Sequence, residues 1–527
     1  MDFLRKLLDV TRNQNFFCSL LLLNLPNLFF MVPCLAQENI NLAYFLGCIG
    51  RYVMPSYILA LFLVKPKERW RNLVLCISAF LAVIDMASMV LMHQPFYCSY
   101  LSSILYTTPR EAQEFLEVHL SLHWETVIML VICVPLLKSS VRERVFHLYQ
   151  RFYDKDYTTI LLITLLLCAS YLYGISAHLL TTRMPVGNSI FRVTLDALQC
   201  YSYQESFDGN RAEAPTVASY DDSIPYVVVV LGESANKHHL SVYGYSLPTS
   251  PWAEQEEQAG NLAVYRQTIA PEHYTIASMG DIFSERKKGE RGSYLHYPNI
   301  FQMLSQTNYH TSWISNQENV GVIGSFEKNL TQDVQSVEFT RAATANMDAD
   351  LIYDDAILPA LQSMLQQNQD YSNQFLVLHL MGSHQRAKNR YPKDFEKFQP
   401  EDEEGEGDDQ KETRAEYDNS ILYTDYILGE ITKNFLDKDA VVIYFSDHGE
   451  DVYDEEKRYF AGHSSGGKEE ELYIPFLVWG SESFQKNHAD VWKYILSKKD
   501  APFRTDSFPA YVRELLSVQY VAPLAKT

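Results

Sequence analysis

The sequence predicts an N-terminal bundle of five transmembrane helices followed by a soluble α/β/α sandwich, and three observations predict it. Apolar residues concentrate before residue 181, in five segments suited to crossing a bilayer. From residue 225 onward, strand-like and helix-like patterns alternate, as they do where helices cover both faces of a mostly parallel sheet. Finally, the runs Pro225–Gly232, Phe375–Met381 and Ala440–Ser446 each end beside residues of metal-ligand or acid/base type. Runs this rich in valine, isoleucine and leucine read as strands buried on both faces. Sheets of that kind carry their chemistry at the carboxyl ends of the strands.

The expected spans are Phe16–Ala36, Ala43–Val64, Leu73–Met92, Trp124–Leu137 and Thr159–Leu180, of which the fourth is the shortest. The first is not read as a cleaved signal, because further spans follow and no small-residue cleavage site stands out. Basic residues fix the orientation. Arg5, Lys6 and Arg12 precede the first span, Lys65, Lys67, Arg69 and Arg71 follow the second, and Lys138, Arg142, Arg144, Arg151 and Lys155 follow the fourth. With five spans all three clusters lie on one side, the cytoplasmic one. Residues 181–527 then lie outside, which in a bacterium means a multi-pass inner-membrane protein with its soluble part in the periplasm. The expected division is 1–180 transmembrane, with an external loop near 94–123, then a linker at 181–224 and a soluble domain at 225–527. Within the loop, Pro109–Leu116 suits a short amphipathic helix on the membrane surface.

Of eight cysteines, Cys18, Cys34, Cys48, Cys76, Cys133 and Cys168 fall in the spans and read as small apolar residues. Cys98 and Cys200 are expected outside, where an oxidising compartment would let them pair. None follows Cys200, so the soluble domain must stand on its core. A net charge of −21 argues against a nucleic-acid partner. The acidic run Glu401–Asp409 reads as a solvated loop insertion. Along the soluble part the expected elements are strands at Tyr309–Ser315, Phe375–Met381 and Ala440–Ser446, with helices at Met347–Gln366 and Ala415–Leu436.

The chemistry is read from the strand ends. Asp447 and His448, adjacent after Ser446, offer one oxygen and one nitrogen ligand, a mix suited to Zn²⁺. Glu233 adds a carboxylate if the two strands are neighbours. Thr275 is expected at the N-cap of a helix beginning near Ile276, where free N–H groups would bind a phosphate. A metal on its oxygen would make it a nucleophile; the plainer reading is a capping threonine, and Ser234 is the rival nucleophile. His384 and His463, each in a small glycine-containing setting, are candidates for holding substrate or a proton. His379 reads as a structural residue in mid-strand, and His238, His239, His273 and His310 receive no role.

Taken together, these stretches resemble the phosphoethanolamine transferases of the bacterial envelope, members of the alkaline phosphatase and sulfatase superfamily. The resemblance rests on Gly232–Ser234, Tyr243–Pro251, Tyr274–Ile276, Trp313–Gln317, His379–His384, Arg390–Pro392, Tyr417–Tyr426 and Phe445–Glu450, with the five-span anchor. It implies a soluble domain of the alkaline phosphatase/sulfatase type, with Zn²⁺ on Glu233, Thr275, Asp447 and His448, and Thr275 transiently phosphorylated. It further implies that His384 and His463 contact the phosphoethanolamine or a second zinc, and that Asn316 or Gln317 is a weaker substrate contact. The implied donor is phosphatidylethanolamine and the acceptor a lipopolysaccharide. The soluble domain lacks the disulfides, and Glu318–Gly324 the lysine, of members that modify lipid A, so core heptose is favoured over lipid A. The alternative within the superfamily is a phosphoglycerol transferase acting on a periplasmic glycan; from another class, a membrane-anchored binding or sensor protein. A true sulfatase is disfavoured, since no Cys/Ser-x-Pro-x-Arg stretch is present.

Overall fold

The computed structural model describes residues 14–29, 52–53, 56, 59–60, 63, 68–92, 96, 124–152, 189–190, 211–290, 293–318, 326–341, 352–405, 407–454 and 469–521. They belong to two compact units, one N-terminal and one whose main part runs from Ser202 to the C-terminus.

In the N-terminal unit, α1 spans Gln14–Leu23, α2 Glu68–Met92, α3 Trp124–Leu136 and α4 Ser139–Phe152. Of the five expected spans, the third is realised as α2, which is long and apolar enough to cross a membrane over Glu68–Val90. The first and fourth are helical over shorter lengths, and the second and fifth fall largely or wholly outside the described residues, as do Pro109–Leu116, Cys98 and Cys200. Leu73, Ile77, Phe80 and Val83 on α2 stay exposed, an arrangement that lipid accommodates and water penalises. Asp85, buried on the same helix, accepts hydrogen bonds from Asn27 Nδ2 (3.2 Å), Ser189 Oγ (2.5 Å) and the Phe96 N–H (3.0 Å). Cys18, Cys76 and Cys133 are free thiols.

In the C-terminal unit the strands are β1 Thr216–Ser219, β2 Tyr226–Gly232, β3 Leu262–Val264, β4 Thr268–Ile269, β5 Tyr309–Glu318, β6 Ser336–Arg341, β7 Asn373–His379, β8 Ala440–Ser446, β9 Phe476–Gly480, β10 Phe503–Arg504 and β11 Gln519–Val521. Seven of them form one sheet in the order β3-β9-β8-β2-β7-β5-β6. Neighbours from β8 to β6 run parallel, and β9 and β3 close one edge antiparallel. Alternate residues of β2 divide between two cores, as a strand's period of two requires. Val227, Val229 and Leu231 pack with α6 (Thr275–Phe283), while Val228 and Val230 pack on the other face, with α5 (Pro251–Ala259), α7 (Ile357–Gln367) and α8 (Asp408–Lys433). The α/β/α sandwich expected from the sequence is therefore present, and β8 has the expected bounds.

Other boundaries move for identifiable reasons. β7 ends at His379 rather than Met381, because the Met381 and Gly382 N–H groups go to the Asp354 carboxylate (2.8 and 2.9 Å). His379 is thus a strand-end residue, not a mid-strand one. Asp354 sits in a 3-10 turn, Asp354–Ala356, so the helix expected from Met347 begins at Ile357, with 342–351 outside the described residues. α8 starts at Asp408, inside the supposed acidic loop, since Asp408 and Asp409 in its first turn complement the helix dipole. Glu403, from the same run, is buried rather than solvated. Within the expected linker, β1 pairs antiparallel with β11.

Candidate active site

Register brings the strand-end residues together. β2 lies between β7 and β8, with Gly232 opposite Ser446 and Leu231 opposite His379. The next residues, Glu233 and Asp447, therefore leave the sheet side by side. Ser446 Oγ accepts from the Ala235 N–H (2.8 Å) and donates to the His448 carbonyl (2.8 Å), binding the two loops together. The Ser234 N–H donates to Asp447 Oδ1 (3.2 Å). Ser234 adopts φ 57°, a left-handed conformation that non-glycine residues hold only when their surroundings enforce it.

Thr275 completes the group. It is the first residue of α6, with Tyr274 as the N-cap, so it is not the cap the sequence suggested. Ser278 Oγ, one turn on, donates to the Asp447 carbonyl (2.5 Å) and fixes the helix over the strand ends. Thr275 Oγ1 lies 3.1 and 3.2 Å from the two Glu233 oxygens and 3.3 Å from His448 Nε2. Ser234, the rival nucleophile, is fully buried with its hydroxyl donated to Glu233 Oε1 (3.0 Å), so it cannot meet a substrate.

Glu233, Asp447 and His448 are buried, and one ligand atom of each lies within 4.8 Å of the others. His448 Nδ1 donates to the Gly449 carbonyl (2.8 Å), which turns Nε2 toward Glu233 Oε1 (3.1 Å) and Asp447 Oδ2 (3.6 Å). Asp447 Oδ2 has no hydrogen-bond partner among the described residues. Zinc–oxygen and zinc–nitrogen bonds of about 2.0–2.2 Å place tetrahedral ligand atoms roughly 3.3–3.6 Å apart. The separations of Glu233 from Thr275, and of His448 from Glu233, Thr275 and Asp447, fall at or just below that range, so these donors fit such an ion in chemistry and in spacing. Burial works against the His448 imidazolium, but Asp447 and Glu233 outweigh it and hold the proton up to about 10. Burial, then the Glu233 charge, raises Asp447 to about 6. Burial would raise Glu233 too, yet His448 and His384 keep it well below the usual carboxylate range. Three side chains of metal-ligand type, crowded into one desolvated place, thus compete for protons.

The remaining expected residues divide. His384 lies near enough to Glu233 to lower its proton affinity. His463 lies outside the described residues. Asn316 is wholly buried: its Nδ2 donates to Asp354 Oδ1 (2.7 Å) and the Tyr353 carbonyl (3.1 Å), and its Oδ1 accepts from Thr340 Oγ1 (2.6 Å). It supports the floor of the site and is not placed to touch substrate. Gln317, half-buried, donates Nε2 to the Leu380 carbonyl (2.9 Å). Sequence reading missed His379, whose Nδ1 lies 2.9 Å from Glu327 Oε1 and whose charge is felt by both Glu233 and Asp447. Its place at the start of the His379–His384 stretch was the available signal.

Gly382 has φ 53°, and a Cβ there would meet the Glu233 carbonyl oxygen at 2.7 Å and its nitrogen at 2.8 Å. Gly382→Ala should cost at least about 2 kcal/mol of folding stability and push the Glu233 backbone out of place. Urea denaturation and metal titration of the variant check both parts; unchanged metal binding would show that Gly382 does not set the ligand.

The Sulfatase family model matches residues 225–510. A relative named phosphoethanolamine transferase EptC, from Escherichia coli O18:K1:H7, is 27% identical over 348 residues, 60% of each chain. The chain thus spans less than two thirds of the length of that relative. The periplasmic domain of EptC from Escherichia coli, solved in complex with zinc, superposes with a TM-score of 0.53 at 26% identity, covering 58% of this chain and 87% of that one. The integral membrane protein lipooligosaccharide phosphoethanolamine transferase A from Neisseria meningitidis superposes with a TM-score of 0.66 at 18% identity. That match covers 96% of this chain and 95% of the other, a likeness of fold.

Proposed function

The chain belongs to the sulfatase family, and from that premise we propose that it is a zinc-dependent phosphoethanolamine transferase of the bacterial envelope. The observation that carries the reading is the Thr275 hydroxyl, at the start of α6 and 3.1–3.3 Å from Glu233 and His448. Glu233, Thr275, Asp447 and His448 hold the zinc, which when bound supplies positive charge that eases loss of the Thr275 proton. The chain's own groups do the rest. The Thr275 hydroxyl donates toward Glu233, which orients its lone pairs to the open side. Its oxygen attacks the phosphorus of phosphatidylethanolamine as its proton leaves to solvent, the bond to the diacylglycerol oxygen breaks, and that oxygen takes up a proton from solvent in return, so the half-reaction is proton-neutral. The amide N–H groups of the first turn of α6 receive the phosphoryl oxygens. An acceptor hydroxyl on lipopolysaccharide then attacks the same phosphorus and frees Thr275, giving ping-pong kinetics.

Core heptose is the favoured acceptor and lipid A the alternative, on the strength of the Glu318–Gly324 stretch without lysine. The reading places residues 1–180 in the inner membrane and the domain from 225 in the periplasm. A membrane anchor suits a reaction between two lipids that never leave the bilayer. Mass spectrometry of lipopolysaccharide from cells with and without the protein tests the proposal. A phosphoethanolamine increment on the core, absent without the protein, is expected; no increment on any part of the lipopolysaccharide would overturn it.

A further inference from the structure

Away from the ligand atoms, six polar side chains, three buried and three half-buried, form a second group that the reaction does not use. His239 is wholly buried, and each of its ring nitrogens faces a carboxylate: Nδ1 lies 2.5 Å from Asp418 Oδ1 and Nε2 2.9 Å from Asp454 Oδ1. Arg414 donates to Asp454 Oδ1 (3.0 Å) and to the Val452 carbonyl (3.0 Å), and its Nε lies 3.6 Å from Glu403 Oε2. The Tyr245 hydroxyl donates to that same Glu403 oxygen (3.3 Å). With carboxylates on both nitrogens, His239 is an imidazolium. Burial alone would strip its proton, but Asp418 and Asp454 outweigh this and raise it to about 10.

The place of this group in the fold gives it meaning. His239 ends the 3-10 turn Lys237–His239 in the chain that leaves β2 through Glu233, and Asp454 lies on the chain that leaves β8 through Asp447 and His448. Asp418 and Arg414 stand one turn apart on α8, which also reaches the first loop through Tyr417: its hydroxyl donates to the Ser234 carbonyl (2.7 Å) and accepts from the Asn236 N–H (2.8 Å). Asp454 Oδ2 meanwhile accepts the Val452 N–H (3.0 Å), closing a turn in which Tyr453 takes φ 62°. A non-glycine residue keeps that conformation only under constraint from its surroundings. Two ligand-bearing loops are therefore joined to each other and to one helix by charge-assisted bonds among buried and half-buried side chains.

We propose that His239, through Asp454 and Asp418, is a positioning residue that fixes the separation of Glu233 from Asp447 and His448. This rests on the reading that those three residues and Thr275 hold zinc. Buried ion pairs add little net stability, and in some proteins they serve instead to hold one geometry against its alternatives. Outer partners of metal ligands show that use: their loss typically weakens metal binding about 10–100-fold.

The test measures zinc affinity of the full-length detergent-solubilised chain by competition with a chromogenic chelator. The proteins are wild type, His239→Gln, Asp454→Asn, the double variant and Ile495→Ala, a core truncation in the layer opposite α8. Each single variant should bind zinc at least about tenfold more weakly, and the double variant little more weakly than either, since both break one connection. Ile495→Ala, though it lowers the melting temperature, should bind within about twofold of wild type, separating positioning from general loosening. If His239→Gln does not fold, Asp454→Asn decides. Either single variant folded and binding zinc like a zinc-binding wild type overturns the inference alone. A wild-type chain that binds no zinc overturns the reading beneath it, and the inference falls with that.

Discussion

Thr275→Ala will lower phosphoethanolamine transfer by at least about 10⁴-fold, the scale seen when a covalent nucleophile is removed and only binding groups remain. Stability should hardly change. Thr275 is the first helical residue, with Tyr274 capping, so the variant removes no cap and leaves a good helix former in the first turn. This separates the nucleophile from the plainer capping role, which predicts a melting-temperature loss and little kinetic effect. Incubating the wild-type chain with donor lipid alone should leave a phosphoethanolamine mass on the peptide containing Thr275, and that mass should disappear on adding acceptor. A variant retaining more than about 1% of the wild-type rate with the same product would mean that another group attacks phosphorus.

Much of the sandwich was legible because it is written in local patterns. Val227–Val230 and Ala440–Ser446 are continuous apolar runs that can only be buried strands, and the residues directly after each run had to lie at a strand end. The metal-type group Glu233, Asp447 and His448 came from that alone, given only that β2 and β8 are neighbours, which the sheet order bears out. The illegible part depends on contacts distant in sequence. The early end of β7 is set by Asp354, and nothing around Leu378 announces it. The resemblance offered Asn316 as a substrate contact; that Asp354, Tyr353 and Thr340 occupy both ends of its amide is a tertiary fact. His239 received no role for the same reason. Its two carboxylates come from residues 418 and 454, and no sequence spacing links them to it. Of the five spans expected from composition, α2 is the one realised at spanning length among the described residues.

Zinc affinity will rise steeply with pH. Without metal, the ligand set retains a proton on His448 up to about 10 and, at lower pH, another on Asp447 up to about 6. Zinc needs both ligands deprotonated, so binding releases protons, and raising the pH favours it. Between about pH 6 and 10 one proton is displaced per ion, which gives roughly tenfold tighter binding, about 1.4 kcal/mol, for each pH unit. Below about 6 the second proton joins and the slope approaches two. Stability depends on pH differently in the two forms. The His448 proton affinity is raised above its ordinary 6.5, so in the metal-free chain its contribution is complete below pH 6.5 and is lost as pH climbs toward 10. The zinc-loaded chain holds level over the same window, because the gain from tighter binding offsets the lost His448 contribution, folded and unfolded His448 then both being unprotonated. The melting temperatures of chelator-treated and zinc-loaded protein should therefore draw apart from pH 6.5 to 9. Curves that stay parallel, together with an affinity that does not change with pH, would show that the ion is not competing with a proton on His448, and the ligand set would have to be drawn elsewhere.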